Sequence, residues 1–289
     1  MTETLRLLSS VFKLRIGVAI MLSALAGLAV APGPAPEVWK IALLASVVLA
    51  ASASAGAFNQ IVERELDARM ARTRNRPFVT GRFRAGWPWL AGLAALLLVP
   101  VAAALAINVA SALYVFLGAF VYGVVYTVWL KRRTWFNIVV GGLAGSFAVL
   151  AGAAAVDPGL ATAPALLAVV LFLWTPPHFW SLAFAYRDDY AAAGVPMLPV
   201  VMGEAAAAWI ILGHTVALVA LSLLPAAFGL GWIYLLGAAS GGALFVGTSL
   251  RLVAKPGRKR AMANFFASLV QLCLLLATAM LDAWLLGPA

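Results

Sequence analysis

Asn59, Glu63 and Asp67 recur every four residues in the stretch Asn59-Gln-Ile-Val-Glu-Arg-Glu-Leu-Asp67. On a helix that spacing stacks the three side chains on one face, drifting about 40° per step over a rise of about 12 Å. Two carboxylates and an amide are hard oxygen donors. They suit Mg²⁺, which takes one or two carboxylates and completes its shell with water and substrate phosphate. Arg72 and Arg76 follow in the same segment, and guanidinium forks grip phosphate oxygens two at a time. Metal and anion ligands in one stretch, at the end of an apolar run, describe a diphosphate site on a membrane. The competing reading is a plain charged loop between two membrane helices, which topology alone makes basic.

Such residues need helices to position them, and the composition supplies these. The chain has 289 residues, 64% hydrophobic and only 10% charged, with a mean hydropathy of +1.01. That excludes an ordinary soluble domain. Nine apolar runs are long enough to span a bilayer: 16–32, 41–59, 87–107, 110–130, 137–156, 162–185, 206–227, 231–250 and 264–286. The fold class expected is all-α, a nine-transmembrane-helix bundle forming a single integral membrane domain over residues 1–289, with its N-terminus cytoplasmic.

A net charge of +10 invites a nucleic-acid partner, but the charges are distributed by topology. With the N-terminus inside, Arg6, Lys13, Arg15, the Arg64–Arg84 cluster, Lys131 to Arg133, Arg187 and the cations from Arg251 to Arg260 share the cytoplasmic face. Lys40 alone lies opposite. This is the positive-inside pattern, so no nucleic acid is expected and membrane lipid is. A single cysteine, Cys273, rules out a disulfide framework and reads as a packing residue. The first apolar run is long for a cleavable signal, and no Arg/Ser-rich leader precedes it, pointing to a bacterial inner membrane.

Further polar groups gather at the same face. Lys131 and Arg132, with Thr134 and Asn137 nearby, form a second candidate phosphate contact, while Arg133 reads as a topology anchor. Asp188 and Asp189 follow the sixth span, level with Asp67, and two acidic patches across a bundle could share metal ions on one diphosphate. Within the sixth span, Pro176-Pro177 removes two backbone donors and is expected to break the helix. His178 beside it is an ionisable group in the membrane, either functional or simply hydrogen-bonded. His214 has a weaker claim, and Asn264 and Gln271 could bond between helices.

With these segments in view, the chain resembles the UbiA-type intramembrane prenyltransferases. The resemblance covers nearly the whole length: Asn59 to Pro77 with Arg72-Thr73 and Arg76-Pro77, Lys131-Arg132-x-Thr134, and Asp188-Asp189. Asn-x-x-x-Glu-x-x-x-Asp at 59–67, Pro-Pro-His-Phe-Trp at 176–180 and Asp-Asp-Tyr-x-x-Ala-Gly-x-Pro-Met-Leu-Pro at 188–199 are similar to the family's heme-farnesylating branch. Gln60 and Glu63 stand where many quinone-directed relatives have Asp, leaving fewer carboxylates.

The resemblance implies transfer of the farnesyl group of farnesyl diphosphate to a vinyl group of heme b, with water addition, giving heme O for terminal oxidase assembly. It implies Mg²⁺ on Asn59, Glu63, Asp67 and Asp189, catalysis by these with Asp188, and diphosphate on Arg72, Arg76, Lys131 and Arg132. His178 is implied on the heme side, as iron ligand or orienting group, and a heme A synthase or oxidase assembly factor as a partner. Alternatives are a quinone or chlorophyll-like acceptor, a heme-binding assembly factor without catalysis, and a transporter, since broken helices and intramembrane His occur there too.

Overall fold

The computed structural model describes residues 3–287, and among them every regular element is helical. A short amphipathic helix, α1 (Glu3–Val11), leads into α2 (Leu14–Ala29). The pair Pro34 and Pro36 separates α2 from α3 (Val38–Val62), which restarts as α4 (Arg64–Ala68). After the Arg-rich loop come α5 (Trp87–Ala104) and α6 (Val109–Phe120), the latter continuing as a π-helix over Val121–Leu130. Next are α7 (Asn137–Gly141), α8 (Leu143–Ala154) and α9 (Thr162–Ala185), followed by α10 (Arg187–Ala192) and α11 (Leu198–Val201). The last three long helices are α12 (Glu204–Ser222), α13 (Trp232–Ala254) and α14 (Arg258–Leu286).

Eight helical segments are long and apolar enough to cross a bilayer, and α1 with α2, bent by 51°, makes up to nine. Each coincides with one of the apolar runs read from the sequence. Helix ends follow local chemistry. Asn108 precedes α6 and its side chain accepts the Ser111 amide at 2.8 Å, satisfying a donor the first turn leaves free. Asp282, fully buried in α14, accepts the amides of Gly231, Ile233 and Tyr234 and so caps the start of α13 from a neighbouring helix. Cys273 faces outward rather than packing inside: it lies on the outer face of α14, while Gln271, Leu272 and Leu275 beside it are buried.

Small residues bring α2 and α8 into backbone contact. A Cβ at Gly27 would overlap the Val149 carbonyl, and one at Gly152 the Ala24 carbonyl. In a membrane, where apolar surface alone does not drive association, such close approach supplies the packing.

The proline pair does not break α9, contrary to expectation. Pro176 and Pro177 leave the carbonyls of Phe172 and Leu173 without their usual i+4 donors. The helix continues because α7 and α8 press against it there: a Cβ on Gly142 would lie 3.2 Å from the Phe172 oxygen and 3.0 Å from Thr175 Cβ. Hydroxyls of Thr175 and Ser181 bond to the carbonyls of Leu171 and Pro177 on either side.

Candidate functional site

The bundle opens at one end into a cavity bounded by α3, α4, the π-helix, α9 and the Arg-rich loop. Asn59, Glu63 and Asp67 all line it. The helix axis bends at Glu63, where α3 ends and α4 begins, yet the amides of Glu63 and Asp67 still bond to the carbonyls of Asn59 and Glu63, at 3.0 and 2.8 Å. The i, i+4 register therefore survives the joint, and the three side chains share a face.

Each of the three is held by a cation from a different part of the chain. Lys13 Nζ donates to Asn59 Oδ1 at 2.6 Å, Lys131 Nζ to Glu63 Oε2 at 2.6 Å, and Arg76 to Asp67 Oδ2 at 2.6 Å. Glu63 and Asp67 are 1% and 3% exposed, so these are buried ion pairs in a low dielectric. Burial alone would lower the Lys131 ammonium's pKa. The Glu63 carboxylate beside it, with Tyr190 and Tyr122, outweighs this and holds it above the ordinary lysine value. Arg72 also lines the cavity, its guanidinium over the Tyr186 ring and 3.5 Å from the Tyr190 hydroxyl. Arg72, Arg76 and Lys131 outnumber Glu63 and Asp67 even before Lys13 is counted. The cavity is built for an anion.

The π-helix shapes the opposite wall. Its wide turn, marked by the Lys131 amide bonding to the Tyr126 carbonyl five residues back, stacks the Tyr122 and Tyr126 rings at 5.6 Å. Such turns concentrate at functional sites. Lys13 and Lys131 ammonium groups lie over these two rings, at 5.5 and 5.6 Å. Thr127 receives the Asn59 amide at 3.0 Å, fixing its oxygen toward Lys13.

The donor set fits a hard cation. Glu63 and Asp67 offer carboxylate oxygens and Asn59 its amide oxygen, and Glu63 Oε1 is buried with no hydrogen-bond partner, an unused acceptor. Among the described residues no three His, Cys, Asp or Glu side chains are close enough to form a metal cluster on their own. A metal here would share its shell with a substrate's oxygens.

Other predicted residues are distributed unevenly. Asp189 reaches the same end of the bundle, accepting the Arg72 amide at 3.3 Å, but it flanks the cavity while its neighbour Tyr190 lines it. Asp188 is exposed and makes no such contact. Arg132 turns outward, toward Arg64 and Glu65, because consecutive residues on a helix diverge by about 100°. His178 is also off the cavity: Thr175, Phe179 and Leu182 are the faces of α9 that line it. His178 instead stacks between Trp174 and Phe265, at 4.1 and 4.5 Å, with Nδ1 2.7 Å from Ser268 Oγ on α14. Sequence reasoning missed Lys13, Tyr122 and Tyr126 as site residues. A lone lysine at the foot of the first apolar run was the one available signal.

A family model described as the UbiA prenyltransferase family matches residues 20–281. The chain belongs to this family. Among its UbiA relatives, Protoheme IX farnesyltransferase 2 of Paramagnetospirillum magneticum is 59% identical over 99% of this chain and 100% of its own length. Protoheme IX farnesyltransferase 1 of the same organism is 47% identical over 96% of this chain and 99% of its own. A UbiA homologue from Archaeoglobus fulgidus, solved bound to GPP and Mg²⁺, superposes with a TM-score of 0.68 at 16% identity, covering 94% of this chain and 99% of that one. A structure of digeranylgeranylglyceryl phosphate synthase reaches 0.78 at 19% identity over 98% and 99%. The UbiA fold is shared across these proteins, and the chain is an integral membrane prenyltransferase.

Proposed function

We propose that the protein transfers the farnesyl group of farnesyl diphosphate to a vinyl group of heme b, with addition of water, to give heme O. The observation that carries donor and acceptor is the 59% identity, end to end, with a protoheme IX farnesyltransferase. The cavity's chemistry supports it independently, since paired acids and surplus cations suit a metal-bound diphosphate.

Asn59, Glu63 and Asp67, with Asp189 at the rim, would hold Mg²⁺, which when bound neutralises the diphosphate and draws off its charge as it leaves. Arg72, Arg76 and Lys131 bind the diphosphate oxygens. Their contribution grows as negative charge collects on the departing group, and losing one well-placed donor of this kind typically costs about 10²–10³ in rate. Lys13 orients Asn59 and adds a cation at the inner end of the cavity. The Tyr122 and Tyr126 faces border the place where the allylic carbon becomes positive, and aromatic faces attract cations. Apolar walls keep bulk water from that carbon. The heme vinyl group approaches along the Thr175, Phe179 and Leu182 face of α9, while His178 clamps α9 to α14.

The basic loops support a mouth on the cytoplasmic side of a bacterial inner membrane, from which the apolar product would pass to a membrane-bound heme A synthase or oxidase assembly partner. Incubation of the purified protein with heme b, farnesyl diphosphate and Mg²⁺, followed by mass analysis of the porphyrin, tests the reading. A farnesyl-plus-water adduct is expected. Unchanged heme b refutes it, and an adduct formed only on a quinone would assign another acceptor.

A further inference from the structure

A second, narrower cavity adjoins the charged one and shares Lys13, Ile16, Tyr122 and Phe179 with it. It runs between α2, α3, α6 and α8, and its walls are almost wholly apolar, opened by Ala51, Ala55, Gly56, Gly118 and Ala144. Ile16, half exposed at its edge, leaves it open sideways. A hydrocarbon attached to a group bound at Lys13 can run from there down this groove, past the side opening.

The groove has a floor. Its deepest lining residues are Ile20, Val48, Tyr114 and Ala148. One helical turn further on, Ala24 meets Gly152 backbone to backbone, Leu44 is fully buried, and Ser111 Oγ bonds to the Ala151 carbonyl at 2.9 Å. The helices close there. From Gly56 to Val48, and from Tyr122 to Tyr114, eight helical residues give a depth of about 12 Å. An extended covalent chain advances about 1.2 Å per bond, so a farnesyl chain needs about 13 Å, a geranyl chain about 8 Å and a geranylgeranyl chain about 18 Å. The middle one matches this depth to within about 1 Å, whereas the shorter leaves about 4 Å unfilled and the longer overruns it by about 6 Å.

We propose that the floor formed by Ile20, Val48 and Ala148, shut beneath by the α2–α8 glycine contact, measures the isoprenyl chain and selects the three-unit tail. This rests on the reading of the charged cavity as a prenyl diphosphate site, and it adds what sets the length. Ala148 is the decisive position: it is buried, faces the groove and sits one turn above Gly152. A larger side chain there shortens the groove from below without touching the acids or cations.

The test is titration of the purified protein, in Mg²⁺, with geranyl, farnesyl and geranylgeranyl diphosphates, alongside inorganic pyrophosphate. Wild type should bind the farnesyl compound tightest. Ala148→Phe should weaken farnesyl binding roughly tenfold relative to geranyl, a typical consequence of overfilling a packed site, with pyrophosphate binding unchanged. Ile20→Ala should shift preference the other way, toward geranylgeranyl, and gives an independent answer if the bulky variant fails to fold. Unaltered length preference in both variants overturns the floor assignment and leaves the diphosphate reading standing. Failure of wild type to bind any of the three prenyl compounds overturns both. Binding with the expected length order, but no adduct on heme b, keeps the floor and removes the acceptor.

Discussion

Two polar regions lie inside this apolar bundle, and they are built on opposite terms. At the mouth, charged groups face an open cavity: Lys13, Lys131 and Arg76 hold Asn59, Glu63 and Asp67, and Glu63 Oε1 has no partner. Between α9, α12, α13 and α14, neutral groups bond to one another. Asn264 donates to Ser181 Oγ at 2.9 Å and accepts from Thr248 and Ser249, Ser249 reaches Thr215, and His178 meets Ser268. No charged side chain takes part, and these residues line neither cavity. The second region is a clasp: hydrogen bonds that tie helices where hydrophobic burial gives little net force. The first carries charge into low dielectric, which is costly, and isolated buried ion pairs are rarely kept for stability. Within this membrane bundle it is charge bordering a cavity that signals chemistry; a missing partner alone does not, since both polar atoms of buried Gln271 on α14 are unpartnered away from either cavity.

Mutations at the mouth should therefore change turnover, and mutations in the clasp should change stability. The largest effect expected is at Asp67. Asp67→Ala should lower turnover by about 10²–10³ or more while the protein still folds, measured as heme product per folded molecule. Normal Mg²⁺-dependent turnover would dissolve the distinction. Next comes Lys131→Met, which removes a cation that lines the cavity beside Glu63. Its farnesyl diphosphate saturation curve should move to higher concentration, whereas an unmoved curve would reduce Lys131 to a topology anchor. Smaller still is Asn264→Ala, which should cost about 1–3 kcal/mol in thermal unfolding by removing the hydrogen bonds to Ser181, Thr248 and Ser249 that tie α14 to α9 and α13, with per-molecule turnover intact. His178→Ala belongs with it: the heme titration should match wild type, and weakened heme binding would return His178 to the site. Arg132→Ala, on the outward face, should shift stability by no more than about 0.5 kcal/mol and leave farnesyl diphosphate binding alone.

Much of this architecture was legible from residue order. Runs of about twenty apolar residues have few ways to bury backbone groups in lipid, so nine helical segments follow from length alone. The Asn59, Glu63 and Asp67 face was equally readable, because a four-residue repeat survives the kink at Glu63. Long-range placement was not. Lys13 looks like one more anchoring cation until the left-handed backbone at that residue, φ 50°, turns α1 away from α2 and brings its ammonium to Asn59, 46 residues on. Whether Lys131 or Arg132 faces inward depends on the widened turn of the π-helix, which no periodicity announces. Pro176-Pro177 predicted a break that the packing of Gly142 prevents. Small residues in α3, α6 and α8 say that something comes close. They do not say whether it is a neighbouring helix, as at Gly27 and Gly152, or a groove, as beside Ala51 and Ala55.

The most direct measurement is a calorimetric titration of farnesyl diphosphate into purified wild-type and Asp67→Asn protein, each with and without Mg²⁺. The account predicts tight binding by wild type that depends on the metal, and loss of that dependence in the variant. Equal binding by both proteins, insensitive to Mg²⁺, would contradict it.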